Sequence, residues 1–146
     1  MDISFKPASV SDEPFIETVY FETHRWIIET LFGWRGDDIE REKFRESFDA
    51  DNTKIILAAG IPIGWWTIQR STNEIHLGAI YLQASHQGRG VGTRLIRNLV
   101  AQAQEDRIPV RLSTAKINRA RELYARLGFL LTHEDRYKAY FEPNPT

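Results

Sequence analysis

The sequence has no cysteine and a single methionine among its 146 residues. A chain without thiols forms no disulfide and no thiolate zinc site, and it has no cysteine nucleophile. Its four histidines include no close pair suited to a metal, because the two nearest, His76 and His86, make an unconvincing one. We therefore expect no metal, and any catalysis should use neither a metal nor a thiol.

Long hydrophobic runs are also missing. No stretch approaches the roughly 20 apolar residues that cross a membrane, and the opening Met1-Asp2-Ile3-Ser4 lacks the basic and apolar regions of a signal peptide. These absences predict a cytoplasmic protein without a membrane partner. With 42% hydrophobic residues the chain can bury one core, which predicts a single domain over residues 1–146.

The net charge is −1, and the lack of a basic excess argues against nucleic-acid binding. Residues 1–86 carry eight Lys and Arg against fourteen Asp and Glu, whereas residues 87–146 carry eleven against six. A basic second half suits a polyanionic cofactor, and an acidic first half slightly favours a cationic amine as acceptor. Solvated helix faces are the alternative explanation for both halves.

The second half contains a glycine-rich segment. Residues 87–92 read Gln-Gly-Arg-Gly-Val-Gly and follow a strand-like run. Glycine at every second position lets the backbone turn tightly and brings N–H groups close to a ligand. The apolar residues that come next recur at helical spacing: Val91, Leu95, Ile96, Leu99, Val100 and Ala103. Gly90 to Thr93 should therefore lie at a helix N-terminus, where N–H groups and the helix dipole favour a phosphate.

Spacing excludes two other phosphate-binding loops. A P-loop requires a Lys after its glycines, but Thr93 and Arg94 occupy the next positions. In a Rossmann turn the third glycine comes one position later than Gly92 does. A plain turn from strand to helix remains the alternative.

A second motif lies about 30 residues further on. Residues 118–129 read Asn-Arg-Ala-Arg-Glu-Leu-Tyr-Ala-Arg-Leu-Gly-Phe. Asn118 is placed to begin a short helix, and Gly128 is placed to end it as a C-cap. The apolar stripe of this helix consists of Ala120, Leu123, Tyr124 and Leu127.

Together the two motifs resemble the GNAT superfamily of acyl-CoA-dependent N-acetyltransferases. The first matches its Gln/Arg-x-x-Gly-x-Gly/Ala signature at Gln87, Gly90 and Gly92. The second matches its Asn-x-x-Ala-like helix, which carries Leu-Tyr and ends in Gly-Phe. The similarity extends from about Ile75 to Phe129. It implies an α/β fold of the α+β type: a mixed, mostly antiparallel central sheet flanked by helices, with a splayed parallel strand pair that holds the cofactor.

The hydrophobic pattern predicts the element order β-α-α-β-β-β-α-β-α-β-β, which is also the GNAT order. Strands are expected at Ile3–Pro7, Lys54–Ala59, Pro62–Arg70, Glu74–Leu82, Val110–Thr114, Phe129–Asp135 and Tyr137–Phe141. The first two helices are expected at Ser11–Glu22 and Asp37–Phe48, with an aromatic stretch, Trp26–Trp34, between them. Ile39, Phe44 and Phe48 should face inward.

The resemblance implies that acetyl-CoA binds as co-substrate. Its pantetheine arm would hydrogen-bond to the backbone of Ile80, Tyr81 and Leu82 much as an added strand would. A backbone N–H near Leu82 would stabilise an oxyanion. Asn118 would also contact the cofactor, although a plain N-cap role suits it equally. The pyrophosphate would lie on Gln87, Gly88, Arg89, Gly90, Val91, Gly92 and Thr93.

The resemblance also implies that an amine attacks the thioester directly. Tyr124 is the general acid by position, because a phenol with a pKa of about 10 suits a leaving thiolate. Its alternative role is packing on the sheet. His76, on the central strand, is the candidate base, and Glu74, on the same face by strand alternation, is the runner-up. A lone strand histidine is often only a surface residue, and many members of the superfamily take up an already neutral amine.

The acceptor would be a primary amine of a small metabolite, an amino acid or a peptide. In the superfamily the acceptor groove is walled by the first two helices, the central strand and the final hairpin. The corresponding residues here are His24, Arg25, Trp26, Trp34, Arg35 and Tyr137. The two tryptophans could form an aromatic wall for a cation, although such residues often anchor a core. Arg25 or Arg35 could bind a carboxylate. The sequence also leaves a homodimer open.

Two other functions remain alternatives. A non-catalytic acyl-CoA-binding module would share the cofactor loop but show no turnover. A nucleotide-binding domain of another fold is disfavoured by the spacing of the glycines.

Overall fold

The structure is a computed structural model that describes residues 2–144. Its strands are β1 (Ile3–Pro7), β2 (Thr53–Ala58), β3 (Ile61–Arg70), β4 (Ile75–Leu82), β5 (Val110–Ala115), β6 (Phe129–Glu134) and β7 (Lys138–Pro143). Its helices are α1 (Glu13–Leu31), α2 (Asp37–Ser47), α3 (Val91–Glu105) and α4 (Ala120–Arg126). The predicted order of strands and helices is confirmed.

The strands form a mixed, mostly antiparallel sheet, as the resemblance implies. Its parallel pair is β4 and β5. The chain divides into two compact units, and both β3 and β4 contribute residues to each of them. The units are therefore described separately.

Unit 1 comprises the described residues up to Thr67 together with Ile80–His86. Here β1 pairs antiparallel with β2, and β2 pairs antiparallel with β3 through the turn at Ala59 and Gly60. The apolar residues of α1 at helical spacing are buried, and burial of one such side chain contributes about 1.5–3 kcal/mol. The buried core of this unit consists of Ile16, Val19, Ile27, Ile28, Phe44, Ile55, Ile56, Ile63, Trp65 and Trp66.

Unit 2 comprises Ile68–Ala79 and the described residues from Gln87 onward. The pairing order in this unit is β4-β5-β7-β6, with β7 antiparallel to both of its neighbours. The parallel ladder of β4 and β5 ends at the pair Leu77–Leu112, although β5 continues to Ala115 along β7. The splay that the resemblance implies would begin at this end of the ladder.

The first helix corrects the sequence prediction. The structure shows one helix to Leu31, whereas we expected it to end at Glu22. Ile27 and Ile28 continue its buried stripe, so packing outweighs the modest helix propensity of aromatic and β-branched residues. The helix ends just before Gly33, whose φ is +76°.

One inward-facing residue was also predicted wrongly. Ile39 is 46% exposed, while the next residue, Glu40, is buried. Glu40 accepts hydrogen bonds from Arg35 Nε and Nη2 at 2.9 Å each and from the Arg35 backbone N–H at 3.0 Å. A hydrophobic pattern cannot predict burial that an ion pair satisfies. Among the helices of residues 2–144, none is both long enough and apolar enough to cross a membrane.

Candidate active site

The glycine-rich loop of unit 2 has the backbone that the sequence predicts. Gly88 and Gly90 have φ of +74° and +78°, in the left-handed region that favours glycine. A Cβ built on either residue would meet no atom within 4 Å, so the backbone borders open space there. The loop therefore presents bare main chain, as a bound phosphate requires.

The helix that follows presents the amides of its first turn to the same loop. Gly90 is the N-cap of α3, and it has no side chain with which to cap the helix. Its carbonyl accepts the first helical hydrogen bond, from Arg94 N at 3.0 Å. Because the first amides of a helix lack partners within it, those of Val91, Gly92 and Thr93 are placed to bind an anion. No acidic side chain lies in this first turn.

Helix α4 lies beside the start of α3. A Cβ on Gly92 would lie 3.6 Å from Leu123 Cδ2, which is ordinary van der Waals contact. Asn118 lies just before Arg119, the N-cap of α4, and its Oδ1 accepts a hydrogen bond from the first helical amide, Ala120 N, at 3.0 Å. Gly128 follows the helix with a φ of +92°. The structure thus brings the loop and the predicted Tyr124 helix together within unit 2.

Tyr124 is buried in this helix. Only 1% of its surface is exposed, and its ring packs edge to face on Phe141 of β7 with centroids 5.5 Å apart. Burial raises the pKa of its phenol above the ordinary value, because the charged form is poorly solvated there. The packing role considered above is therefore real, and it is compatible with a phenol that keeps its proton.

His76 and Glu74 lie in one cleft of unit 2, with a volume of about 290 Å³. His76 pairs with Arg111 in the β4–β5 ladder, and its Nε2 lies 3.1 Å from Ser113 Oγ. Burial lowers the pKa of His76, while the charge of Glu74 acts in the opposite direction and Lys138 adds to the lowering. His76 is therefore neutral near pH 7, as a proton acceptor must be.

Glu74 is engaged elsewhere in the cleft. Its Oε2 accepts a hydrogen bond from Arg111 Nη1 at 3.1 Å, and Arg111 Nε donates to Glu142 Oε1 at 3.0 Å. The two carboxylates, one just before β4 and one on β7, hold the guanidinium of Arg111 on β5 between them. Glu74 is therefore better placed as a partner of Arg111 than as a base.

The end of β4 belongs to unit 1. Gln83 N donates to Ile63 O of β3 at 2.8 Å, so by strand alternation the Leu82 amide points to the opposite edge of β4. Ala84 N donates to Glu22 Oε1 at 2.7 Å, which ties the following residues to α1. Ile80 to Leu82 therefore form a firmly held strand end.

Gly64 of β3 makes that arrangement possible. A Cβ on Gly64 would lie 2.2 Å from Tyr81 O and 3.0 Å from Leu82 Cα. Such distances are too short for any real Cβ, so only glycine fits. Gly64 was not predicted from the sequence as a site residue, although a glycine inside a strand often marks a close approach of another backbone.

The acceptor residues predicted in unit 1 differ in whether other side chains of the protein already contact them. The guanidinium of Arg25 lies 4.2 Å from the ring centroid of Trp34, and its Nε donates to Glu29 at 2.8 Å. Trp34 also donates from Nε1 to Asp37 at 3.0 Å. One face of Trp34 is thus occupied by a cation of the protein itself, whereas Trp26 is 44% exposed.

Tyr137, the acceptor residue predicted in unit 2, lies at the turn between β6 and β7. Its backbone N–H donates to Asp135 Oδ1 at 2.9 Å, and Arg136 lies over its ring at 5.3 Å. In the part of the chain that the structure describes, no three His, Asp or Glu side chains are grouped to hold a metal ion.

One protein family matches most of this chain. The family described as Acetyltransferase (GNAT) domain matches residues 29–143. Among curated proteins, none matches this sequence.

Solved structures similar to the chain span nearly its whole length. The PaiA N-acetyltransferase of Thermoplasma acidophilum, in complex with coenzyme A, has a TM-score of 0.76, 18% identity and 99% coverage of each chain. Naa50 of Arabidopsis thaliana, in complex with the bisubstrate analogue CoA-Ac-MVNAL, has a TM-score of 0.63, 14% identity and 99% coverage of each chain.

The ribosomal-protein-S18-alanine N-acetyltransferase of Escherichia coli has a TM-score of 0.66 and 17% identity, covering 97% of this chain and 93% of its own. At such low identity the similarity to these structures shows the fold alone. The family match, over residues 29–143, covers well over half of the chain. The chain therefore belongs to the acetyltransferase (GNAT) domain family, and it is an acyltransferase.

Proposed function

We propose that the protein moves an acetyl group from acetyl-CoA to a primary amine by direct attack in a ternary complex. The observation that carries this proposal is the loop before α3, where two left-handed glycines border open space and lead into uncapped helical amides. Acetyl-CoA supplies the acyl thioester. Two similar proteins have been solved in complexes, one with coenzyme A and one with the bisubstrate analogue CoA-Ac-MVNAL. These complexes support the same choice of cofactor.

The residues of the loop fit a pyrophosphate. The amides of its glycines and of the first turn of α3 would bind the phosphate oxygens, and the Arg89 side chain would add positive charge. Asn118 would contact the cofactor with the amide nitrogen of the side chain whose oxygen accepts the hydrogen bond from Ala120 N. The residues proposed to hold the pyrophosphate are Gln87, Gly88, Arg89, Gly90, Val91, Gly92 and Thr93.

The end of β4 is proposed to hold the pantetheine arm. Ile80, Tyr81 and Leu82 offer a strand edge whose amide and carbonyl groups can pair with the two amides of pantetheine. Gly64 and the Glu22–Ala84 hydrogen bond keep this edge in place. The Leu82 amide is the proposed donor to the thioester oxygen.

Two side chains are proposed to move protons. Tyr124 is the proposed proton donor to the departing thiolate, and because burial raises the pKa of its phenol, the hydroxyl keeps its proton until that thiolate forms. His76 is neutral and can accept the proton of the attacking amine, directly or through water. Glu74 remains the weaker candidate because Arg111 engages its carboxylate.

The acceptor class is a primary amine on a small metabolite, an amino acid or a peptide. Two of the similar structures are named for a peptide conjugate and for a ribosomal-protein alanine, so peptides with free N-termini belong among the acceptors to be tested. Arg25, Trp26, Trp34 and Tyr137 remain the proposed acceptor contacts. A cytoplasmic location, a single domain over residues 1–146, a homodimer and the absence of a nucleic-acid partner remain predictions.

Release of free CoA thiol tests the proposal. Acetyl-CoA is incubated with the protein and with polyamines, amino acids, aminoglycosides or peptides, and a thiol reagent reports the product. Because the chain has no cysteine, the reagent reacts with the product alone. Release that depends on the amine is expected, and it names the acceptor class. Binding of acetyl-CoA without release for any amine would instead support the acyl-CoA-binding module.

A further inference from the structure

Ser113 is a buried polar residue of β5, in the sequence Val-Arg-Leu-Ser-Thr-Ala. Only 4% of it is exposed, and its neighbour Leu112 belongs to the core. A buried hydroxyl needs a hydrogen-bond partner. The Ser113 hydroxyl has one in His76, whose Nε2 lies 3.1 Å away.

The His76 ring lies beside Gly78. Its Cε1, between the two ring nitrogens, lies 3.8 Å from where a Cβ on Gly78 would stand. Gly78 is exposed and follows the last pair of the β4–β5 ladder, Leu77–Leu112. Within residues 2–144, no group forms a hydrogen bond with His76 Nδ1. Ser113 therefore engages one of the two ring nitrogens, Nε2.

We propose that Ser113 is a positioning residue that fixes the tautomer of His76. In this arrangement Nε2–H donates to Ser113 Oγ, so the lone pair that accepts a proton is on Nδ1. The reverse arrangement, in which Ser113 donates to Nε2, would place a proton on Nδ1 and remove its basicity. The catalytic meaning of this tautomer rests on the proposed function, whereas the hydrogen bond between Ser113 and His76 does not depend on it.

Charged groups around His76 must be included in any pH-dependent test. Glu74 directly precedes β4, Arg111 lies on β5, and Glu142 and Lys138 lie on β7. Tyr140 of β7 and His133 of β6 also face the cleft, with their rings stacked at 4.4 Å. Replacing Ser113 changes none of these charges, so its effect on the titration of His76 can be separated from theirs.

The first test is NMR of the histidine ring nitrogens. The chain has only four histidines, so His76→Gln identifies the resonances of His76 by their loss. In the wild-type protein above the pKa of His76, we expect the Nε2–H tautomer. Ser113→Ala should yield a mixture of tautomers, whereas Ser113→Thr, which keeps the hydroxyl and suits a strand, should retain one. A wild-type Nδ1–H tautomer, or one unchanged in Ser113→Ala, would overturn the inference.

The same spectra give a direction for the pKa. An acceptor on Nε2–H stabilises the protonated ring more than the neutral one, since hydrogen bonds to charged groups are stronger. Removing it in Ser113→Ala should therefore lower the pKa of His76. A rise of this pKa in Ser113→Ala would mean that the serine donates, and would contradict the proposal.

Kinetics separate positioning from mere folding. Ser113→Ala should lower kcat about fivefold to tenfold with little change in KM for acetyl-CoA, and it should move the acid limb of the pH profile to lower pH. Ser113→Thr should restore both. Failure of wild-type transfer with every amine would count against the proposed function and leave the NMR result standing. Normal transfer with an unchanged tautomer would reject the role of Ser113 alone.

Discussion

Tyr124 is almost fully buried, yet its hydroxyl forms no hydrogen bond with any residue between 2 and 144. Its ring supplies packing against Phe141, and its hydroxyl supplies none of that contact. Burial raises the pKa of this phenol, so the hydroxyl keeps its proton at neutral pH.

The substitution Tyr124→Phe separates these two contributions. It should lower kcat by about 10²-fold because it removes the proton donor. The free energy of unfolding should change by less than about 0.5 kcal/mol because the ring stays in place. Steady-state kinetics measure kcat, titration with CoA measures the affinity for CoA, and urea unfolding measures the free energy of unfolding. An unchanged kcat, or a loss confined to CoA affinity, would contradict the assignment.

His24 gives a pH dependence to stability. It is buried in unit 1, with its ring stacked on Tyr20 at 4.6 Å and against Tyr81 at 4.5 Å. Burial lowers its pKa from 6.5 to about 4. Above pH 6.5 the folded and unfolded states are both neutral at this residue, so it contributes no pH dependence there.

As the pH falls from 6.5 toward 4, the unfolded state takes up a proton that the folded state refuses. His24 should therefore cost up to about 3 kcal/mol of unfolding free energy over that range, and no more below it. His24→Phe keeps the aromatic stack and should flatten this part of the curve. Urea unfolding of both proteins across the range measures the difference. Parallel curves would show that His24 does not carry the effect.

At the scale of elements, Gly64 shows how one strand determines the position of another. A side chain on β3 at this point would overlap Tyr81 O, at the strand end proposed to hold pantetheine. Gly64→Ala should lower stability by about 1–3 kcal/mol or more through overpacking. Gly78→Ala is the matched strand control, because its Cβ would meet only His76 Cε1 at an ordinary 3.8 Å. Equal urea midpoints for the two variants would refute the close approach.

The elements also show where sequence patterns suffice. Most strand bounds were predicted within a residue or two, because alternating hydrophobicity and the turns at Gly60 and Ser71 delimit them. The end of α1 was missed because the aromatic stretch resembles a connection, while Gly33 is the actual stop signal. When tertiary packing determines where a helix ends, a short stretch of sequence does not predict that end.

Some residues of the candidate site could likewise be predicted from the sequence, and others could not. The loop, Asn118 and Tyr124 were predictable because backbone requirements fix glycine and capping residues at set spacings. Ser113 and Arg111 were not, since their roles arise from neighbours on other strands. Contacts across strands require the register, which a single sequence does not give.

For the whole molecule, the distribution of charge agrees with the proposed roles. The loop and α4 lie in the half of the sequence with eleven Lys and Arg against six Asp and Glu. Such an excess attracts a polyanionic cofactor and favours its capture. Acetyl transfer, acyl-CoA binding without turnover and nucleotide binding all depend on which ligand the loop binds.

Calorimetric titration with acetyl-CoA tests that dependence most directly. We expect the wild-type protein to bind acetyl-CoA and to discriminate against ATP. Gly90→Asp should abolish binding, because it places a side chain and a negative charge where the phosphates lie. Gly60→Asp is the matched control, since Gly60 has a φ of +80°, lies in the β2–β3 turn and is likewise uncrowded; it should bind as the wild type does. Unaltered affinity in Gly90→Asp, or equal binding of ATP and acetyl-CoA, would contradict the assignment of the loop.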